Sequence, residues 1–417
     1  MAICNSHTEL VPAALRGPVL VNPVTGIPRY WSTVWMSVDG ASYTPSTLQK
    51  KLNAIDALYL SVERQLGDDK LDQLIFRLNF EQIEYCIAGF FSQLSNESVQ
   101  FGFDASPRWS TAFGFIKSTL DRYVQTSSEV HQLESMHAAL LRLERLYSSL
   151  RTLKNNRRPT LRALPATVVA DLYDISEPNS PRNPFRTKRG KWRNYILLIL
   201  MLHQGLRRGE ALLLPSDSIK EGRNPDNGKI QYWLNVVSPP DTVTDDRSDK
   251  PSIKTMASIR QIPVAEELAR LINSFSSNWR GKQPHPFLFS NAQGKPLSLR
   301  YVGVIFEKYS QQLSPKSRQA LINIMREPKI KSHDLRHTCA VVRLTHCLDS
   351  GMQMDETIER LRAFFGWGLV SQMPRYYTRA YFENDLLTDV WKDSFDAHVE
   401  ALRQLDSSLS NNEDSEL

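Results

Sequence analysis

The chain has 417 residues, 41% of them hydrophobic and 23% charged, and a net charge of +6, values that fit a soluble protein of two or three domains. The opening MAICNSHTELVPAALRG lacks a basic segment followed by an apolar run, so no secretory leader is expected. The longest apolar run, YILLILML (Tyr195–Leu202), is far short of the roughly 20 residues that span a bilayer, and a cytoplasmic location is expected.

In chain order, the first 43 residues mix Pro, Gly and Trp without periodicity and read as an extended N-terminal arm. From Thr44 the pattern turns helical: a Thr-Pro-Ser start precedes Leu48, Leu52, Ile55 and Leu58 at spacings of three to four residues. Further helices are expected over Lys70–Leu78, Asn79–Leu94, Ser106–Gln125 and Ser127–Leu153, giving a small all-helical domain over 44–153. Beyond Leu164, ATVVADLYDI and WRNYILLILMLHQGL read as helices, the second one buried. KIQYWLNVV and SIRQIPVA have strand composition, AEELARLINSF is an amphipathic helix, and HPFLFS is a short strand. The rest to Leu402 reads as mostly helical, and the acidic end, 403–417, has no apolar periodicity and is expected to be disordered.

Charge is unevenly placed. From Arg151 to Arg193 there are eleven Lys/Arg against three Asp/Glu. A run of one sign broken by Pro, Gly and Asn suggests a connector lying against a polyanion, with nucleic acid the leading candidate. Cys4, Cys86, Cys339 and Cys347 show no paired spacing and read as free thiols. A zinc site from His333, His337, Cys339, His346 and Cys347 is disfavoured, because Arg336 and Arg343 would repel the cation and no ligand motif completes the set.

Chemistry concentrates in five short stretches. The buried helix ends in GLRRGE (Gly205–Glu210), where the glycine permits a tight turn and Glu210 can orient an arginine; taken alone, this reads as a helix end with solvated arginines. SIKTMASIRQIPV places Lys254 in a turn before a strand. KSHDLRHTCAVVRL puts His333, Arg336 and His337 on successive helical turns. Trp367 follows Gly366, and Tyr376 comes nine residues later, next to Tyr377; the aromatics could equally be core residues. In order, G-L-R-x-x-E, K-T before a strand, H-x-x-R, G-W and a tyrosine resemble the tyrosine recombinase (phage integrase) family over roughly Leu164–Leu402.

The resemblance implies a mainly α protein with a small antiparallel β-sheet. Its parts would be a helical core-binding domain over 44–153, a basic linker and start of the catalytic domain over 154–193, and an α+β catalytic domain over 164–402. The two domains would close as a clamp on a duplex. It implies that Arg207, Lys254, His333, Arg336, Trp367 and Tyr376 form the catalytic set, with Tyr376 the nucleophile. The arginines would hold the non-bridging oxygens of the phosphate, and Lys254 would protonate the leaving 5′ oxygen. A 3′-phosphotyrosyl bond conserves the phosphodiester's energy, so neither ATP, metal nor another cofactor is implied. Lys250 and Tyr377 stay open as alternatives to Lys254 and Tyr376, while Arg208, His337 and Arg375 are assigned to phosphate contact or structure.

The partners implied are double-stranded DNA and a homotetramer on two DNA sites, with accessory recombinases or directionality factors, in a bacterial cytoplasm and on the nucleoid when bound. The C-terminal segment with Leu386, Leu387, Val390, Trp391, Phe395 and Val399 at helical spacing would dock on a neighbouring protomer. The expected function is site-specific recombination, serving integration or excision of a mobile element. The rival readings are a type IB topoisomerase-like or telomere-resolving enzyme, and a DNA-binding accessory protein with a degenerate pocket.

Overall fold

The computed structural model describes residues 3–6, 17–126, 130–147 and 162–383, apart from Asp226, Asp241, Ser248, Lys254 and Thr255. The acidic tail and the docking segment beyond Glu383, and most of the Lys154–Arg162 basic stretch, therefore lie outside the described residues. The chain divides into two compact units, Met1–Arg158 and Pro159–Leu417.

The first unit opens with an antiparallel pair, β1 (Ile3–Ser6) and β2 (Gly17–Leu20), followed by α1 (Tyr30–Val38). Then come α2 (Pro45–Leu66), α3 (Leu71–Phe76), α4 (Phe80–Phe101), α5 (Ser106–Thr126) and α6 (Val130–Tyr147). Helix α2 starts at Pro45 and stops at Gly67 in the left-handed region, while the Asn79 side chain caps α4. The N-terminal stretch departs from the extended arm expected of it. Trp31, Trp35 and Met36 form an apolar stripe that α1 buries in the core of this unit, with Leu52, Tyr59 and Phe115. Arg29 lies over the Tyr59 ring and pairs with Asp69, fixing the entry to α1.

The second unit begins with α7 (Ala166–Ser176), α8 (Lys188–His203) and the short α9 (Arg208–Leu213). A sheet follows: β3 (Ile219–Arg223), β4 (Ile230–Val236) and β5 (Arg260–Val264), antiparallel in the order β3-β4-β5. Then come α10 (Glu266–Ser274), α11 (Leu299–Gln312), α12 (Pro315–Met325), α13 (Ser332–Asp349), α14 (Met354–Phe365) and α15 (Met373–Glu383). Helix α8 is buried on every side from Trp192 to His203, which explains its unbroken apolar run. Around it pack α7, α13 and the inner face of β4 and β5, supplied by Leu234, Val236, Ile262 and Val264. Each fully buried Leu or Ile there contributes about 1.5–3 kcal/mol. No described helix is long and apolar enough to cross a membrane.

Three local expectations change. Strand β3, IKEGR, lacks strand composition and forms because the β4 edge pairs with it residue for residue. HPFLFS joins no sheet; Phe287 and Ser290 make only isolated bridges, to Pro215 and Pro296. The basic run Pro181–Arg193 is not a free connector. Arg182 pairs with Asp171 and Asp174, and Arg193 is buried, donating to the Ser290 carbonyl at 3.0 Å.

Candidate active site

The site grows out of the turn after α8. Gly205 has φ +58°, and a Cβ there would stand 2.3 Å from Cε1 of Phe365. The turn presents Arg207 at the start of α9. Its backbone N–H donates to Glu210 Oε2 at 3.0 Å, and its Nη1 donates to both Glu210 Oε1 and the Ser258 hydroxyl. Glu210 is 1% exposed and collects two further cations. Arg260 Nη2 lies 3.1 Å and Arg336 Nη1 3.6 Å from its Oε2. Burial opposes a charge on Glu210, yet Arg260, Arg336, Arg207 and the Arg207 N–H together hold its pKa below the usual carboxylate range.

Backbone carbonyls complete the cradle. Arg336 donates to the carbonyls of Gly205 and Phe365, both at 2.6 Å, and Arg260 donates to those of Phe364 and Ser258, both at 2.7 Å. Burial and the repulsion of Arg207 bring the Arg336 pKa down to about 9, so it remains charged at neutral pH. Three guanidiniums share one carboxylate, a balance that a bound anion would complete. The Arg207 side chain, 24% exposed, is the accessible member.

Gly366 turns the chain with φ +60° after α14 and sets Trp367 into the core. The indole stacks between Phe365 (4.7 Å, 14°) and Tyr377 (5.5 Å, 17°). Tyr377 is 1% exposed, and its hydroxyl lies 2.6 Å from His337 Nδ1. Burial, then His333, Arg162 and Arg336, push the His337 pKa down to about 3, so the ring is neutral and shares one hydrogen bond with the phenol. His333 is exposed and packs edge-on against His337 at 4.5 Å. Tyr376 is partly exposed, 5.9 Å from the His337 ring and 5.3 Å from that of Tyr377. Its hydroxyl oxygen accepts the backbone N–H of Arg162.

Of the six residues singled out from sequence, Arg207, Arg336 and Trp367 are joined through Glu210 and Phe365, and His333 and Tyr376 flank His337. Lys254 lies outside the described residues, and Lys250 is exposed. Arg208 and Arg375 are exposed, whereas His337 belongs to the buried framework. The two tyrosines differ in their electrostatics. Burial raises the pKa of both, but Arg336 and Arg207 oppose it at Tyr377, and Arg162 opposes it at Tyr376. Sequence reading did not single out Ser258, Arg260, Asp334 or Arg162. Arg260 had a usable signal: it alternates with Ile262 and Val264, so it shares their inward face and needs a buried carboxylate.

The sequence model of the phage integrase family matches residues 163–384. No curated protein matches the chain in sequence. Among solved structures, it is similar to a XerA recombinase at 13% identity, covering 85% of this chain and 97% of that one with a TM-score of 0.34. It is also similar to a XerH site-specific recombinase bound to its difH substrate in a pre-cleavage complex (15% identity, 86% and 94% covered, TM-score 0.35). A third likeness is to an integrase from mycobacterium phage Brujita (13% identity, 87% and 90% covered, TM-score 0.27).

Proposed function

Because the chain belongs to the phage integrase family and is a tyrosine recombinase, we propose that it cleaves and rejoins double-stranded DNA at specific sites through a 3′-phosphotyrosyl intermediate. The observation that carries the reading is the convergence of Arg207, Arg260 and Arg336 on the single buried carboxylate of Glu210, beside a pair of tyrosines. Arg207 and Arg336 grip the scissile phosphate, with Glu210 and the carbonyls of Gly205 and Phe365 fixing their planes. Arg260 supports that arrangement from β5.

Tyr376 attacks phosphorus. The phenol oxygen forms a bond to phosphorus, the bond to the 5′ oxygen breaks, and the leaving oxygen takes a proton from Lys254. The phenol's own proton passes to solvent or to His333, the exposed imidazole of the site. A free 5′ hydroxyl reverses the step, so the bond energy is retained. Trp367 packs the tyrosine helix against α14. Two features support Tyr376 over its neighbour: its ring is partly exposed, and its oxygen is met by an N–H donor that favours phenolate, whereas the Tyr377 hydroxyl is committed to His337 inside the core. One observation favours Tyr377 instead, since the charges of Arg336 and Arg207 act on its hydroxyl.

In this reading the helical first unit grips the duplex, the second performs the chemistry, and copies of the chain assemble on two sites to integrate or excise a mobile element. The test uses a nicked duplex selected for binding by this protein from a randomised pool. Wild type and Tyr377→Phe should form a denaturation-resistant adduct, and Tyr376→Phe should form none. An adduct lost only in Tyr377→Phe would move the nucleophile by one residue. Tight binding without any adduct would make the chain an accessory DNA-binding protein.

A further inference from the structure

The chain enters the second unit along Arg162–Leu164, and three consecutive residues grip the helix that carries His333 and Arg336. Arg162 Nε donates to Asp334 Oδ1 at 2.9 Å, and its Nη2 is equally close. Ala163 lies in the buried cluster of Cys339, Trp367 and Tyr377, and the Leu164 N–H donates to the Thr338 hydroxyl at 2.8 Å. Asp334 is fully buried, and its other oxygen accepts the N–H of Lys331 at 2.7 Å. The same Arg162 also meets the tyrosine helix, giving its backbone N–H to Tyr376.

We propose that Arg162 is a positioning residue for strand cleavage: it ties the tyrosine helix α15 to the histidine–arginine helix α13 at the point where the polypeptide arrives from the first unit. This inference rests on the recombinase reading above. One residue fixes three things at once. Its guanidinium neutralises Asp334, which holds the first turn of α13 and hence His333. Its N–H orients the Tyr376 oxygen. Its charge faces both Tyr376 and His337, the latter flanked by His333 and by Tyr377.

A structural role and a positioning role are separated by comparing Arg162→Gln, Arg162→Lys, Asp334→Asn and the double variant R162Q/D334N in the full chain. The readouts are the rate of adduct formation at saturating protein on the nicked duplex, its pH profile, and thermal stability. Arg162→Gln should slow adduct formation on the order of 100-fold without a matching loss of DNA affinity, and Arg162→Lys should recover part of the rate. Without the Arg162 charge the tyrosine limb of the pH profile should move to higher pH. The double variant removes the buried charge imbalance, so it should regain stability while staying slow. Wild-type rate and pH profile in Arg162→Gln, or recovery of rate together with stability in the double variant, would overturn the proposal. A wild type that forms no adduct would instead overturn the recombinase reading, and the proposal with it.

Discussion

His337 is an imidazole kept neutral deep in the site. Its pKa of about 3 lies below the 6.5 of an unperturbed histidine, so between those values the unfolded chain binds more protons than the folded one. Its contribution to stability is complete above about pH 6.5 and is lost as pH falls towards 3. Melting temperature should therefore drop across that window, and the drop should be shallower in His337→Gln, as circular dichroism melts at stepped pH would record. Glu210 is the opposite case, a buried anion whose removal strands three guanidiniums. Glu210→Gln should lower stability by about 3–5 kcal/mol, measured by urea unfolding, because uncompensated buried charge costs more than the pair returns. An arginine fork at Arg207, donating to a carboxylate and a hydroxyl through one planar group, is poorly replaced by lysine.

At the scale of elements, the site is a meeting of ends: the turn after α8, the start of α9, the approach to β5, the first turn of α13, and the corner between α14 and α15. Gly205, in the turn after α8, lies directly against the Phe365 ring at the end of α14. Gly205→Ala should cost more than about 1 kcal/mol, from the left-handed φ together with the contact at Phe365, and should lower the melting temperature measurably. Much of this scale was legible beforehand. The helices of the first unit follow from apolar spacing and from stop signals such as Gly67, and β4 and β5 from their composition. Strand β3 was not legible, because its polar sequence IKEGR is imposed by the edge of β4. Helix α1 escaped notice because the turn- and proline-rich residues before it obscure the stripe of Trp31, Trp35 and Met36.

At the scale of the molecule, the motif order pointed to the catalytic unit because each motif needs a special residue at a turn or helix start. Its framework partners were less visible. Asp334 and Arg162 are 172 positions apart in sequence, and nothing in either neighbourhood announces the other. The basic stretch misled in its second half, where Arg182, Arg189 and Arg193 are spent on internal contacts rather than offered to a polyanion. Each unit has its own core, one around Leu52 and Phe115 and the other around α8. Calorimetry should resolve two transitions, with Glu210→Gln lowering only one. A single cooperative transition that moves as a whole would show the units to be energetically fused.

Strand cleavage by this chain would leave a covalent bond between DNA and one phenol, which peptide mapping can locate. After adduct formation on the nicked duplex, nuclease and trypsin treatment should leave the tetrapeptide Tyr376–Arg379, released by cleavage after Arg375 and Arg379. Fragmentation should place the nucleotide remnant on Tyr376. A remnant on Tyr377, or on no tyrosine of that peptide, would contradict that assignment.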